Sequence, residues 1–155
     1  MAGRIDARLK ELGLTLPDAP APVANYVPWV KTGNLVFVSG QVSREGGKVI
    51  AGKLGKELDI AAAQKAAKTC ALAVLAQLKA ACGGDLDRVR RCVKAGGFVN
   101  STSDAVDQPQ VINGFSDTIV EVLGDAGRHA RFAVGVNTLP MGAAVEVDAV
   151  FEVAP

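Results

Sequence analysis

The sequence predicts an α+β fold with two helices packed on one face of a mixed sheet. Apolar, β-branched runs of strand length occur near both ends of the chain, and two long segments repeat apolar residues every three and four positions. Their order is strands, helix, strand, helix, strands. With 155 residues, 49% of them hydrophobic, the chain is long enough to bury one sizeable core and too short for two.

The first element is a short amphipathic helix, since Ile5, Leu9 and Leu12 fall at helical spacing among Arg, Lys and Glu, and Gly13 ends it. Residues 15–28 hold too many prolines for a helix and are expected to run extended over the surface, bringing Tyr26 to the mouth of the first strand. Residues 27–32 and 35–39 are apolar and β-branched around Gly33-Asn34, which suits a tight hairpin, and Gly46-Gly47 marks another turn before Lys48-Val49-Ile50. From Asp59 the period changes. Ile60, Ala63, Ala67, Cys70, Val74, Leu78 and Ala81 define one long helix, capped by Asp59 and closed by Gly83-Gly84, with an Ala-rich face that allows close approach to a sheet. Val89 to Val99 reads as a strand in which Gly96 and Gly97 permit a bulge or a close backbone neighbour. Pro109 suits the first turn of a second helix, buried along Val111, Ile112, Phe115, Ile119, Val122 and Leu123 and stopped at Gly124. Two strands follow, one opened by Arg131 and one holding Glu146.

These strands carry more apolar surface than two helices can cover. Leu35-Val36-Phe37-Val38 is apolar on both faces, and Val134, Val136, Val145 and Val147 add to it, so a partner subunit is expected on the second face. A ferredoxin-like monomer, the structural alternative, requires a more polar second face. Composition excludes other classes. Lys plus Arg total 17 against 16 Asp plus Glu, and no basic run interleaves with aromatics, which argues against nucleic acid as a partner. The first residues carry charges throughout and lack an apolar signal segment, and no run is apolar enough to span a membrane, so a soluble, cytoplasmic protein is expected. Cys70, Cys82 and Cys92 fit neither a CxxC nor a metal-ligand spacing and are expected to be reduced, partly buried thiols. His129 has no Ser or Cys at a recognised spacing and no His/Asp cluster around it, so it reads as a loop residue and no metal site is expected.

The charges that stand out are Arg131 and Glu146, each set in an apolar strand, where an ionised group costs several kcal/mol unless it is paired or binds something. Residue pattern alone leaves two readings open, a ligand site and a structural ion pair between subunits. Likewise Ser39-Gly40 reads as a strand end, Tyr26 as an interface aromatic and Asn113 as a solvated helix residue unless something else joins them.

An order of motifs does join them: Tyr26 ahead of the first strands, Val38-Ser39-Gly40-Gln41, Asn113 on the second helix, Ala130-Arg131, Leu139-Pro140 and Val145-Glu146-Val147. In that order they resemble the Rid, or YjgF, family of reactive-intermediate deaminases, over about Tyr26 to Val153. The N-terminal helix and the GKLGKEL segment are similar to a longer, less characterised branch of it. The resemblance implies a chorismate-mutase-like fold, one domain over 1–155 with 1–14 as a helical extension, and a homotrimer around a central β-barrel with ligand clefts between subunits. It implies 2-imino or 2-enamino acids as substrates, 2-oxo acids and ammonia as products, and no cofactor.

For the site, the resemblance implies Arg131 as the carboxylate grip and Glu146 as general base and then acid. It implies Ser39, the Gly40 backbone, Tyr26, Asn113 and the backbone at Ala133 as the pocket. The chemistry fits: a planar guanidinium holds a carboxylate by two parallel bonds, and a partly desolvated carboxylate has the proton affinity to activate water. Many deaminating relatives carry Cys where this chain has Ala133, so nucleophilic chemistry there is excluded. Strand alternation sends Phe132 to the side opposite Arg131. The alternatives are a trimeric module that binds small carboxylates without turnover and, against the charge balance, the ribonuclease or translation-inhibitor activity attached to some relatives.

Overall fold

The computed structural model describes residues 3–20 and 24–155. The chain opens with helix α1 (Arg4–Glu11), which buries Ile5 and Leu9. Of the stretch 15–28 expected to run extended, residues 15–20 hold neither helix nor strand, 24–26 and 28 are bends, and residues 21–23 lie outside the described residues. Strands β1 (Trp29–Thr32) and β2 (Leu35–Val42) form the expected hairpin, with Thr32 opposite Leu35 and Gly33 at φ 57°, the left-handed region glycine enters without a Cβ penalty. Beyond the expected end at Val38–Ser39, β2 continues to Val42 because a bulge absorbs Ser39 and Gly40. A small ribbon, β3 (Arg44–Glu45) and β4 (Lys48–Val49), turns at Gly46-Gly47.

Helix α2 (Ile60–Ala81) starts where the Asp59 carboxylate accepts the Ala62 N–H at 2.8 Å. Strand β5 (Val89–Asn100) is the longest strand, α3 (Gln108–Leu123) begins around Pro109 and stops at Gly124, and β6 (Ala130–Val136) and β7 (Val145–Val153) complete the order. The five-stranded sheet runs β1-β2-β7-β5-β6; the β5–β6 pair is parallel and the others antiparallel, giving the mixed sheet expected.

Alternation along β7 divides the molecule. Val145, Val147, Ala149, Phe151 and Val153 are buried against the helices together with Val36, Val38, Cys92, Ala95 and Val99. Packing is close because facing residues are small: Gly114 on α3 sits against the Gln64 carbonyl of α2, where a Cβ has no room. All three cysteines are free and buried, Cys70 and Cys82 along α2 and Cys92 on β5. Burial pushes their thiols up, Cys92 to about 12.

The other face of the sheet is bare. Cross-strand pairing puts Val30, Phe37, Val150, Glu146, Phe98, Phe132 and Val134 on it, and four of these (Val30, Phe37, Phe132, Val134) are large exposed apolar residues. The second face therefore exposes apolar side chains beside the charged Lys94, Glu146, Asp148 and Glu152. Phe132 lies there, its ring edge-on to Phe98 at 5.3 Å, on the side opposite Arg131 as alternation predicted. The GKLGKEL segment is pinned to the far end of β5, where the Lys53 ammonium donates to Asn100 Oδ1 at 2.8 Å and Leu54 is buried. No helix among the described residues is long and apolar enough to cross a membrane.

Candidate active site

Glu146 projects from β7 onto the open face because its neighbours Val145 and Val147 take the buried one. It lies opposite the β2 bulge, so close that a Cβ on Gly40 would stand 3.1 Å from its carboxyl carbon. The bulge is fixed by the segment before β1. Ser39 N–H donates to the Pro28 carbonyl at 2.9 Å, and its hydroxyl donates to the Val27 carbonyl at 2.7 Å. Tyr26, exposed, stands next to that anchored stretch. Ser39, Gly40 and Glu146 therefore form one group at the bulge, with Tyr26 adjoining it along the chain.

Glu146 is half-buried, and burial pushes its carboxyl above the usual carboxylate range, with the charge of Asp148 two residues along the same face adding to the effect. No hydrogen bond or ion pair among the described residues offsets this.

Arg131 sits elsewhere. Its register partner is Ala95, which faces the helices, and its side chain runs along α3: Nη1 donates to Ser116 Oγ at 2.9 Å and Nη2 to the Pro109 carbonyl at 3.1 Å. Asn113 lies four residues after Pro109 and three before Ser116, on the same helix face, and is exposed. Ala133, two residues beyond Arg131, shares its face of β6 and is partly buried. Arg131, Asn113 and Ala133 therefore form a second group.

The two groups lie on opposite faces of one sheet, so within a chain Arg131 and Glu146 cannot meet around one ligand or as an ion pair. The ion pairs among the described residues are Arg8–Glu11, Lys79–Asp6 and Arg128–Asp125. His129, which has no Ser or Cys at a recognised spacing in the sequence, meets a serine in the fold. It does lie in the loop before β6, but its Nε2 is 2.9 Å from Ser116 Oγ and its Nδ1 is 2.6 Å from the Gly127 carbonyl. Local spacing did not show this contact, which joins residues 13 apart across a helix end. The available signal was Ser116 itself, three residues from Asn113 on a face already under suspicion. No group of three or more His, Cys, Asp or Glu among the described residues is arranged to hold a metal ion.

The class these features define is a helix-backed mixed sheet with polar groups clustered at the β2 bulge and along β6. The chain belongs to the YjgF family: the family model described as "YjgF/chorismate mutase-like, putative endoribonuclease" matches residues 6–152. Among its relatives, protein TCP17 of Trypanosoma cruzi is 50% identical over 153 residues, covering 97% of this chain and 95% of that one. The crystal structure of Atu1372 from Agrobacterium tumefaciens, a protein whose function is unknown, is 53% identical with a TM-score of 0.90, covering 96% of this chain and 92% of that one. The YjgF gene product of E. coli is 27% identical with a TM-score of 0.63, covering 87% and 93%.

Proposed function

We propose that the chain hydrolyses 2-imino and 2-enamino acids to 2-oxo acids and ammonia, at clefts where neighbouring copies of a homotrimer meet. The observation that carries this reading is the separation of Arg131 from Glu146 by the sheet. A carboxylate grip and a proton-transfer group on opposite faces serve one ligand only if two copies each contribute a half. The exposed apolar residues of the open face support association, because Val30, Phe37, Phe132 and Val134 in contact with water favour burial against a second copy.

In such a cleft the chemistry follows from the groups present. The Arg131 guanidinium holds the substrate carboxylate, each charge-assisted bond contributing roughly 1.5–3 kcal/mol. Water adds to the C=N carbon of the protonated imine as Glu146 takes one water proton, leaving a hydroxyl and a neutral amine on the same carbon. Glu146 then gives that proton to the nitrogen, the C–N bond breaks and ammonia leaves, while the hydroxyl proton passes to the freed Glu146 carboxylate, and then to solvent, as the oxygen becomes the ketone. A carboxyl pushed up by burial suits both roles, since its proton affinity approaches that of the groups it serves. An enamine reaches the same path once its carbon is protonated to give the imine. Both steps are proton transfers that need no cofactor.

The second reading, a trimeric module that binds small carboxylates without turnover, is favoured by Ala133, which leaves the grip intact beside an inert side chain. Ribonuclease chemistry, the label carried by the family description, finds little support in a net charge of +1.

A coupled assay tests the choice. A pyridoxal-phosphate dehydratase generates 2-aminoacrylate or 2-iminobutanoate, and 2-oxo acid release is timed. Wild type is expected to accelerate release, and Arg131→Ala to lose about a hundredfold or more of that acceleration, the order expected when the group that positions a substrate is removed. Binding of 2-oxobutanoate without acceleration moves the conclusion to the binding module.

A further inference from the structure

The hydrogen bonds around Arg131 can be followed atom by atom. The Gly127 carbonyl can only accept, so the 2.6 Å contact requires the proton of His129 on Nδ1. In the neutral imidazole Nε2 then accepts, and the proton between it and Ser116 Oγ, 2.9 Å away, is the hydroxyl's own. With its proton committed to His129, the Ser116 oxygen turns its lone pairs to Arg131 and accepts from Nη1 at 2.9 Å. The Pro109 carbonyl holds Nη2 at 3.1 Å. Three of the five guanidinium N–H groups remain, enough for a two-bond grip on a carboxylate.

The far end of this chain of bonds is rigid. Gly127 is buried with its Cα against the Ile119 carbonyl, where a Cβ would lie at 2.6 Å, so the carbonyl that sets the imidazole tautomer cannot drift. The fully buried Phe115 ring stands edge-on to the imidazole, centroids 6.0 Å apart.

We propose that Ser116 and His129 are positioning residues of the site: a tautomer-locked pair that holds the Arg131 guanidinium in its carboxylate-gripping pose. This deepens the reading of Arg131 given above and rests on it. An arginine side chain gives up rotamer freedom when fixed, and a pre-formed clamp removes that cost from ligand binding. The clamp acts on affinity, while proton transfer stays with Glu146.

The test uses full-length protein, 2-oxobutanoate as carboxylate probe, and the variants Ser116→Ala, Ser116→Thr, His129→Leu and His129→Gln. Ser116→Ala and His129→Leu are expected to weaken 2-oxobutanoate binding by about 5- to 20-fold, the loss of one net hydrogen bond to a charged group. In the imine assay they should raise KM and leave kcat within about threefold, as removal of ground-state binding does. Threonine keeps the hydroxyl, and glutamine sets an oxygen acceptor where Nε2 stood, so both should recover most of the affinity. A merely structural staple predicts lost stability, unaltered affinity in the folded fraction, and no distinction between Gln and Leu; that result overturns the proposal. A second readout does not depend on the ligand. The chain has one histidine, so its imidazole nitrogens need no assignment, and the Arg131 guanidinium signal is identified by its loss in Arg131→Lys. Wild type should show the Nδ1–H tautomer and slow guanidinium rotation, with faster rotation in Ser116→Ala. Failure to bind 2-oxobutanoate with those signals present refutes the carboxylate role of Arg131 and keeps the clamp. Unchanged guanidinium rotation in Ser116→Ala refutes the clamp itself.

Discussion

Arg131 and Glu146 carry opposite charges and live in opposite circumstances. The arginine, on the helix side, is tied by two hydrogen bonds to α3, one to Ser116 Oγ, which His129 holds in turn, and one to the Pro109 backbone carbonyl. The glutamate, on the open side, has no such partner among the described residues and is pushed toward its neutral form by burial and by Asp148. A group that must hold an anion benefits from being fixed before the anion arrives, because fixing it during binding reduces affinity. A group that must accept and return a proton benefits from the reverse, since every hydrogen bond to its ionised form lowers its basicity. The sheet keeps these two requirements from interfering with each other.

Mixing the two halves gives the largest contrast. Arg131→Ala and Glu146→Gln, each inactive alone, are expected to recover about a quarter of wild-type activity when co-refolded in equal amounts, because random pairing of subunits puts both intact halves into one cleft in four. Co-refolded mixtures as inactive as the parents would return the site to a single chain and remove the basis of the shared cleft.

A smaller effect is expected from Glu146→Gln alone. Loss of general acid–base function should lower kcat by about 10²–10³-fold while affinity for 2-oxobutanoate holds, which isothermal titration and the coupled assay separate. The same variant sharpens the comparison through stability. A carboxyl whose pKa is raised on folding binds more protons in the native state, so stability falls as pH rises from the ordinary carboxylate range through the raised value. Glu146→Gln should therefore melt higher than wild type at pH 7. The difference should shrink toward pH 4.5, in scans run at both pH values.

The smallest expected change is at Gly40. A methyl group there would press on the Glu146 carboxyl at 3.1 Å, against a side chain able to give way, so Gly40→Ala should fold normally and lose about tenfold in kcat. The arginine half should not register it, and 2-oxobutanoate affinity in Gly40→Ala is the check.

Much of this was legible in the residues. Asp59, Pro109, Gly124 and the Gly33-Asn34 and Gly46-Gly47 pairs mark ends and turns by local rules, and the helices and hairpins fall where those rules put them. That Glu146 leaves the buried face follows from Val145 and Val147 on either side. The face of Arg131 does not follow locally, because its neighbours Ala130 and Phe132 give no clear alternation and the orientation is set by the register of a parallel strand far off in sequence. The bulge at Ser39-Gly40 and the Ser116–His129 contact were hidden for the same reason: each depends on what another segment presents once the chain has folded. Side-chain type therefore suggested the candidates, and tertiary geometry decided which of them stand together.

The three buried thiols give this chain a property separate from any ligand. A cysteine is alkylated through its thiolate, and here the thiolate forms only after water reaches the seam between α2 and the sheet. In native buffer, an excess of thiol reagent therefore reads out how often that seam opens, without denaturant and without an added label. Cys70 reports from the middle of α2, Cys82 from its end and Cys92 from β5. Three positions along one interface thus act as clocks for fluctuations of the folded state.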